Sequence, residues 1–193
     1  MNILLLGSNN CNNIYSFLKS SGNRVVLYEN RLDIHSPILI NIDFIISYGY
    51  KYMIPPSIIE KFNNKIINLH ISYLPWNKGA DPNLWSFLED TPKGITIHYI
   101  NNSLDTGDII AQLEVPYKEN DTLKTFYDRL CQEIEQLFIE NWKFICSGKV
   151  MRKPQPSGGS YHRLKDKKKY LHLLTDGWNT SVKDIIGKAK MNG

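Results

Sequence analysis

The sequence predicts an α/β fold: a modified doubly wound, Rossmann-like, mostly parallel sheet with an antiparallel extension. Three observations lead there. Apolar runs at 3–6, 24–28, 43–47 and 66–69 alternate with helical or looping segments, the pattern of parallel strands covered on both faces. Two further runs, 96–100 and 109–115, flank an acidic turn and form an expected antiparallel pair at the sheet's edge. An amphipathic stretch over 123–147 supplies one long covering helix.

Each element has its local reason. Ile3-Leu4-Leu5-Leu6 ends at Gly7-Ser8-Asn9-Asn10, after which Ile14, Phe17 and Leu18 recur at helical spacing, giving strand, turn and helix. With one glycine before Gly22, this turn is no Gly-x-Gly-x-x-Gly fingerprint and does not indicate a dinucleotide-binding dehydrogenase. A Ser-Gly-Asn break precedes the second strand, and Phe44-Ile45-Ile46 centres the third. Pro55-Pro56 opens a helix with Ile58, Ile59 and Phe62 on its apolar face, since proline suits a first helical turn. Lys65-Ile66-Ile67 leads into the fourth strand, and beyond the loop 75–82 a helix carries Leu84, Trp85, Phe87 and Leu88. Asp121-Thr122 caps the long helix, whose Phe126, Leu130, Ile134, Phe138, Trp142 and Ile145 step by three and four until Gly148 stops it. Residues 151–160, ending Pro156-Ser157-Gly158-Gly159-Ser160, have linker composition. Residues 161–193 form a short basic tail, which leaves 1–150 as the main domain.

Composition bounds the function. Forty-two per cent hydrophobic and 22% charged residues are ordinary for a globular domain of 193 residues. A net charge of +4 suits a small anionic substrate and is too mild to indicate nucleic acid. Lys165, Lys167, Lys168 and Lys169 make the densest basic cluster, the usual sign of a solvated face. Cys11, Cys131 and Cys146 are widely spaced and lack a Cys-x-x-Cys, which suggests reduced, buried thiols in a cytoplasmic protein and no zinc site. The chain opens on a strand in place of a cationic leader, and charged or polar residues interrupt every apolar run. Neither a signal peptide nor membrane insertion is expected.

The chemistry concentrates in Asn68-Leu69-His70-Ile71-Ser72-Tyr73-Leu74-Pro75 and Ser103-Leu104-Asp105-Thr106-Gly107-Asp108. Residues two apart in a strand share a face, so Asn68 and His70 project together from a strand's carboxyl end, where open α/β sheets hold ligands. Asp105 sits in a turn able to aim at the same edge. Amide, imidazole and carboxylate together suit proton transfer and oxyanion stabilisation. The residues alone leave a plainer alternative open, a hydrogen-bonded structural histidine and a common Asp turn.

With Lys93-Gly94-Ile95-Thr96-Ile97-His98 between them, these motifs resemble the folate-dependent formyltransferase family, over about residues 1–150. The family includes glycinamide ribonucleotide, methionyl-tRNA and sugar N-formyltransferases. The resemblance implies an enzyme that takes the formyl group of 10-formyltetrahydrofolate to an amine without a metal. It implies a catalytic Asn68, His70 and Asp105, with the Asn amide on the oxyanion, the His relaying protons and the Asp orienting it. It places the pterin between loops 47–55 and 100–105, with Tyr50, Met53, Ile54 and Asp105 as cofactor-binding candidates. For the aromatic cluster in the first loop, core or interface packing stays an equal alternative.

Residues 48–55 and 76–85 are most similar to the sugar branch, whose acceptors are nucleotide-linked amino sugars on the way to cell-surface glycans such as lipopolysaccharide O-antigen. Trp76, Asn77, Lys78 and Asp81 are then the substrate-binding candidates. The short stretch after the linker disfavours a tRNA acceptor, and Ile71 stands where the glycinamide ribonucleotide branch has proline. That branch, a formyltetrahydrofolate hydrolase and a folate-binding protein are the alternatives. A homodimer is left open.

Overall fold

The computed structural model describes residues 1–8 and 11–190. Asn9 and Asn10 of the expected first turn, and 191–193 at the end of the expected tail, lie outside the described residues. In chain order the elements are β1 (Asn2–Leu6), α1 (Asn12–Ser20), β2 (Arg24–Tyr28), β3 (Phe44–Ser47), α2 (Pro56–Lys61), β4 (Ile66–His70), β5 (Lys78–Gly79), α3 (Pro82–Leu88), β6 (Gly94–Tyr99), β7 (Ile109–Glu114), α4 (Leu123–Cys146), β8 (Tyr161–His162) and α5 (Val182–Ile185).

Six strands form one sheet in the order β2-β1-β3-β4-β6-β7, while β5 and β8 make a separate parallel pair. β1 pairs in parallel with β2 and β3, and β3 with β4. β6 and β7 run antiparallel, with Tyr99 N–H donating to Asp108 O and Val115 N–H to Lys93 O, each at 3.0 Å. The fold is the expected one, parallel sheet and antiparallel extension together.

Packing divides the described chain into two compact units. The first comprises 1–70, 97–111 and 135–154, and the second 71–96, 112–134 and 155–193. In the first, Ile3, Leu4, Leu5 and Leu6 are all fully buried, so β1 is covered on both faces as its unbroken apolar run requires. Leu4 and Leu6 join Ile45, Ile54, Ile58 and Phe62 in one cluster. Elsewhere in the unit Phe17 meets Phe138 edge-on at 6.2 Å and Phe44 meets Trp142 at 5.9 Å. Each such side chain contributes about 1.5–3 kcal/mol by leaving water. Gly7, directly after β1, has no room for a side chain: a Cβ there would lie 2.3 Å from Tyr48 O and 2.4 Å from Cys11 Sγ. Burial pushes the Cys11 thiol up to about 12, so this cysteine is a neutral core group. Cys131 and Cys146 are half-buried, less enclosed than expected.

The expected linker and tail are ordered by partners that their composition does not announce. Lys153 exchanges two backbone hydrogen bonds with Ile109, at 2.8 and 3.0 Å, within the first unit. In the second, Lys78 N–H donates to Ser160 O and Ala80 N–H to His162 O, both at 2.9 Å. Proline and glycine exclude helix from 153–160 without excluding such pairing, so the expected division at 150 and 160 follows chain position and not packing.

Also in the second unit, Thr122 Oγ1 accepts from Thr125 N–H while Thr122 N–H donates to Thr125 Oγ1, a reciprocal cap at the start of α4. Asp121 beside it accepts from Lys118 N–H at 2.6 Å and holds Arg129 through two 2.7 Å bonds. Burial opposes its ionisation, but the Arg129, Lys118 and Thr125 hydrogen bonds prevail and keep the carboxyl below its ordinary value. Because the folded pKa is the lower one, Asp121 stabilises the fold above the unfolded carboxyl pKa of about 4, and the contribution disappears as pH falls through the folded value. Asp121→Asn should therefore be less stable than the parent at pH 7, and denaturation series should show the gap closing below about pH 4. A gap that persists in acid would assign the loss to something other than the charge.

Candidate functional site

β4 delivers the first two polar groups. Strand alternation sets Asn68 and His70 on one side and the buried Leu69 on the other. The third comes from the turn between β6 and β7, where Asn101 Oδ1 accepts from Ser103 N–H at 3.0 Å and from Thr106 Oγ1 at 2.9 Å. Asp105, between these anchors, has φ +51°, a left-handed conformation that Asp tolerates better than most residues. The turn closes on Gly107, where a Cβ would lie 1.8 Å from Tyr99 O. Hydrogen bonding and steric exclusion together fix where the carboxylate stands.

Asp105 Oδ1 accepts from Asn68 Nδ2 at 3.4 Å, and Oδ2 lies 3.8 Å from His70 Nε2. The side chains of His70 and Asp105 are each 9% exposed, so this pairing is largely withdrawn from water. A fourth group belongs to the cluster. His98 Nε2 lies 3.6 Å from Asp105 Oδ1 and 3.4 Å from Asn68 Nδ2, and its ring meets that of His70 edge-on at 6.0 Å. Its Nδ1 is 2.8 Å from Tyr99 O, which can only accept, so Nδ1 carries the hydrogen. In the neutral ring Nε2 is therefore an acceptor for the Asn68 amide. Sequence reasoning quoted His98 within a motif but gave it no role; its place at the end of a strand beside an acidic turn was the available signal.

The candidates for the pterin loops divide. Tyr50 is half-buried, its hydroxyl donating to Asn30 O at 2.7 Å and accepting from Leu32 N–H at 3.0 Å, and burial raises its phenol pKa. Tyr50 and Ile100 pack against one apolar cluster that includes Ile54, so the two loops share a hydrophobic base fit to wall a flat ring system. Ile54 itself is in the core beneath them, at 7% exposure, and Met53 is exposed at 62%.

The acceptor candidates divide as well. Asn77 is fully buried, its amide donating to Thr91 Oγ1 at 2.9 Å and accepting from Ser160 Oγ at 3.2 Å. With both ends engaged it holds its loop and has nothing left to offer a ligand, a correction to its expected role. Asp81 pairs with Lys167 at 2.9 Å, and Lys78 Nζ lies 3.4 Å from Gly158 O. Trp76 is half-buried, its carbonyl accepting from Ser72 Oγ at 2.8 Å. Among the described residues no cluster of His, Cys, Asp or Glu could hold a metal ion, and no helix is long and apolar enough to cross a membrane.

An α/β sheet ending on an amide and an imidazole, with a carboxylate brought to them by a hairpin turn, defines a site for group transfer with proton relay and oxyanion stabilisation. The chain belongs to the formyl transferase family, whose model matches residues 29–141. Methionyl-tRNA formyltransferase from Listeria monocytogenes is 30% identical over 119 residues, which are 61% of this chain and 38% of that relative. The chain thus spans well under half the length of such relatives. The crystal structure of the formyltransferase PseJ from Anoxybacillus kamchatkensis, in complex with UDP-4,6-dideoxy-4-formamido-L-AltNAc and tetrahydrofolate, is 62% identical. It covers 98% of this chain and 100% of that one, with a TM-score of 0.95. An N-formyltransferase from Helicobacter canadensis, in complex with folinic acid and dTDP-3-aminofucose, is 25% identical, covering 86% of this chain and 71% of that one at a TM-score of 0.69.

Gly107→Ala tests the turn. With a carbonyl in the way of the new methyl group, the hairpin must open and take Asp105 with it, at about 1–3 kcal/mol in urea unfolding. Stability equal to the parent's would mean that the turn has room the geometry denies.

Proposed function

We propose that this protein transfers the formyl group of 10-formyltetrahydrofolate to the amine of a nucleotide-linked amino sugar. The observation that carries this is the end-to-end likeness to PseJ, a formyltransferase crystallised with a UDP-linked formamido sugar and tetrahydrofolate. The assembled Asn68, His70 and Asp105 support it from the chemical side. The folate supplies the formyl group; the protein's side chains supply the rest.

As the amine attacks the formyl carbon, negative charge gathers on the formyl oxygen and the nitrogen must shed a proton. Asn68 Nδ2 has two hydrogens, one directed to Asp105, the other left to donate to that oxygen; such a donor is worth about 10²–10³ in turnover. His70 takes up the amine's proton and returns one to the departing nitrogen, a role worth about 10²–10⁴. Asp105 stands by His70 Nε2, orienting the ring and balancing its charge while the proton is held. Asn68 needs the same carboxylate, so one group sets the direction of both. The Tyr50 and Ile100 loops wall the pterin, and Trp76, Lys78 and Asp81 belong to the acceptor side. The same reading places the activity in the cytoplasm, in the supply of formylated sugars for lipopolysaccharide O-antigen, with a homodimer as one quaternary arrangement to be tested by sedimentation.

His70→Asn and Asp105→Asn should each reduce turnover about 100-fold or more while tetrahydrofolate still binds. Near-normal turnover in either would sink the assigned roles. The acceptor is tested by mass spectrometry of 10-formyltetrahydrofolate reactions with a panel of nucleotide-linked amino sugars and with glycinamide ribonucleotide. The expected product is an amino sugar heavier by one formyl group. Transfer to glycinamide ribonucleotide instead, or release of formate with no acceptor modified, would replace this reading with purine synthesis or hydrolysis.

A further inference from the structure

The second unit contains a cavity of about 390 Å³ that the catalytic cluster does not use. Its apolar wall is formed by Ile71, Pro82, Leu84 and Leu123, and Trp178 from the Gly177–Asn179 turn closes one side. That indole is 45% exposed, an uncommon amount of free aromatic surface for a ring beside an apolar hollow. Three polar side chains reach the lining, and two are committed elsewhere. Asp81 pairs with Lys167 at 2.9 Å and Lys124 with Asp128 at 2.7 Å.

The third, Asn83, is 3% exposed. Its Nδ2 donates to Leu123 O at 2.8 Å, which fixes the sense of the amide, since that carbonyl cannot accept from an oxygen. Its Oδ1 is buried and has no hydrogen-bond partner among the described residues. Leaving such an acceptor unmatched costs about 1–3 kcal/mol, which a ligand bringing a donor recovers. The cavity thus offers flat apolar contact and one acceptor. A sugar ring, with a hydroxyl on most carbons, needs several polar partners when it leaves water. A nucleobase needs stacking for its faces and a few hydrogen bonds for one edge.

We propose that this cavity binds the nucleobase of the nucleotide-linked acceptor, stacked on Trp178 and donating a ring N–H to Asn83 Oδ1. The proposal rests on the nucleotide-sugar reading given above. It specifies a base with a ring N–H in its neutral form, as uracil, thymine and guanine have and cytosine and adenine lack.

The test is calorimetric titration of the full chain, without folate, with UMP and with its N3-methyl derivative, alongside formyl transfer to a UDP-linked amino sugar. Because Trp178 is largely exposed, Trp178→Ala leaves the core untouched, and Trp178→Phe keeps a stacking face. The expected results are that UMP binds, that N3-methyl-UMP and the Trp178→Ala variant each lose about tenfold or more in affinity, and that Trp178→Phe recovers most of the loss. Trp178→Ala should also raise KM for the nucleotide sugar more than it lowers kcat. Absence of UMP binding, or equal affinity across these pairs, overturns the assignment. If the parent still formylates the nucleotide sugar in that case, the acceptor class stands and the base lies elsewhere. If it formylates no nucleotide sugar, both readings fall together.

Discussion

A carboxylate nine-tenths withdrawn from water has to be met by donors, and the arrangement around Asp105 follows from that requirement. Left alone in such a place it would take up a proton and lose its use. Asn68, His70 and His98 surround it within 3.4–3.8 Å, two from the end of β4 and one from the adjoining β6. None of these separations is a short, ideal hydrogen bond. The cluster is loose enough for a side chain to turn toward a substrate and close enough for the carboxylate to stay ionised. The left-handed backbone at Asp105 and the exclusion of any side chain at Gly107 are the local costs, on the order of 1 kcal/mol for the former. The Asn101 and Thr106 hydrogen bonds offset them.

The second unit solves a different problem, holding irregular chain in place without long strands or helices. Loop 76–81 is pinned by the β5–β8 pair, by Asn77 between Thr91 and Ser160, and by Asp81 with Lys167. His162, on β8, stacks on Trp85 at 3.7 Å with the rings nearly parallel and lies 3.2 Å from Glu89. Every one of these ties has one end in residues 155–173 or in the loop itself. A segment of linker-like composition followed by lysines is therefore a structural part of the acceptor side, and its charge gives no hint of this.

What was legible in the sequence was what a local pattern specifies. Unbroken apolar runs marked β1, β3 and β4; three-and-four spacing marked α4 nearly to the residue; strand parity put Asn68 and His70 on one face. The turn around Asp105 announced itself through Asp-Thr-Gly. What escaped depends on partners far away in the chain. His98 acquires its place from Asp105, and Asn77 loses its availability to Ser160, 83 residues on. Ile54 looked like a pocket wall because the aromatic residues around it suggested one, whereas α2 and β4 close over it as core. Apolar periodicity carries burial well; it does not say which polar groups will find each other.

The catalytic cluster says how a formyl group is moved and little about what receives it, because an oxyanion donor and a proton relay suit any attacking amine. Discrimination among acceptors must come from elsewhere in the chain. The family match ends at residue 141, and the Listeria methionyl-tRNA formyltransferase aligns with 61% of this chain, whereas the likeness to PseJ takes in 98% of it. Ser160, His162, Lys167 and Trp178 all lie beyond the family match, and they are the residues that brace loop 76–81 and wall the second-unit cavity. The sheet and its carboxylate are what a general transfer chemistry requires, and the segment past α4 is where a choice of acceptor has side chains to act through.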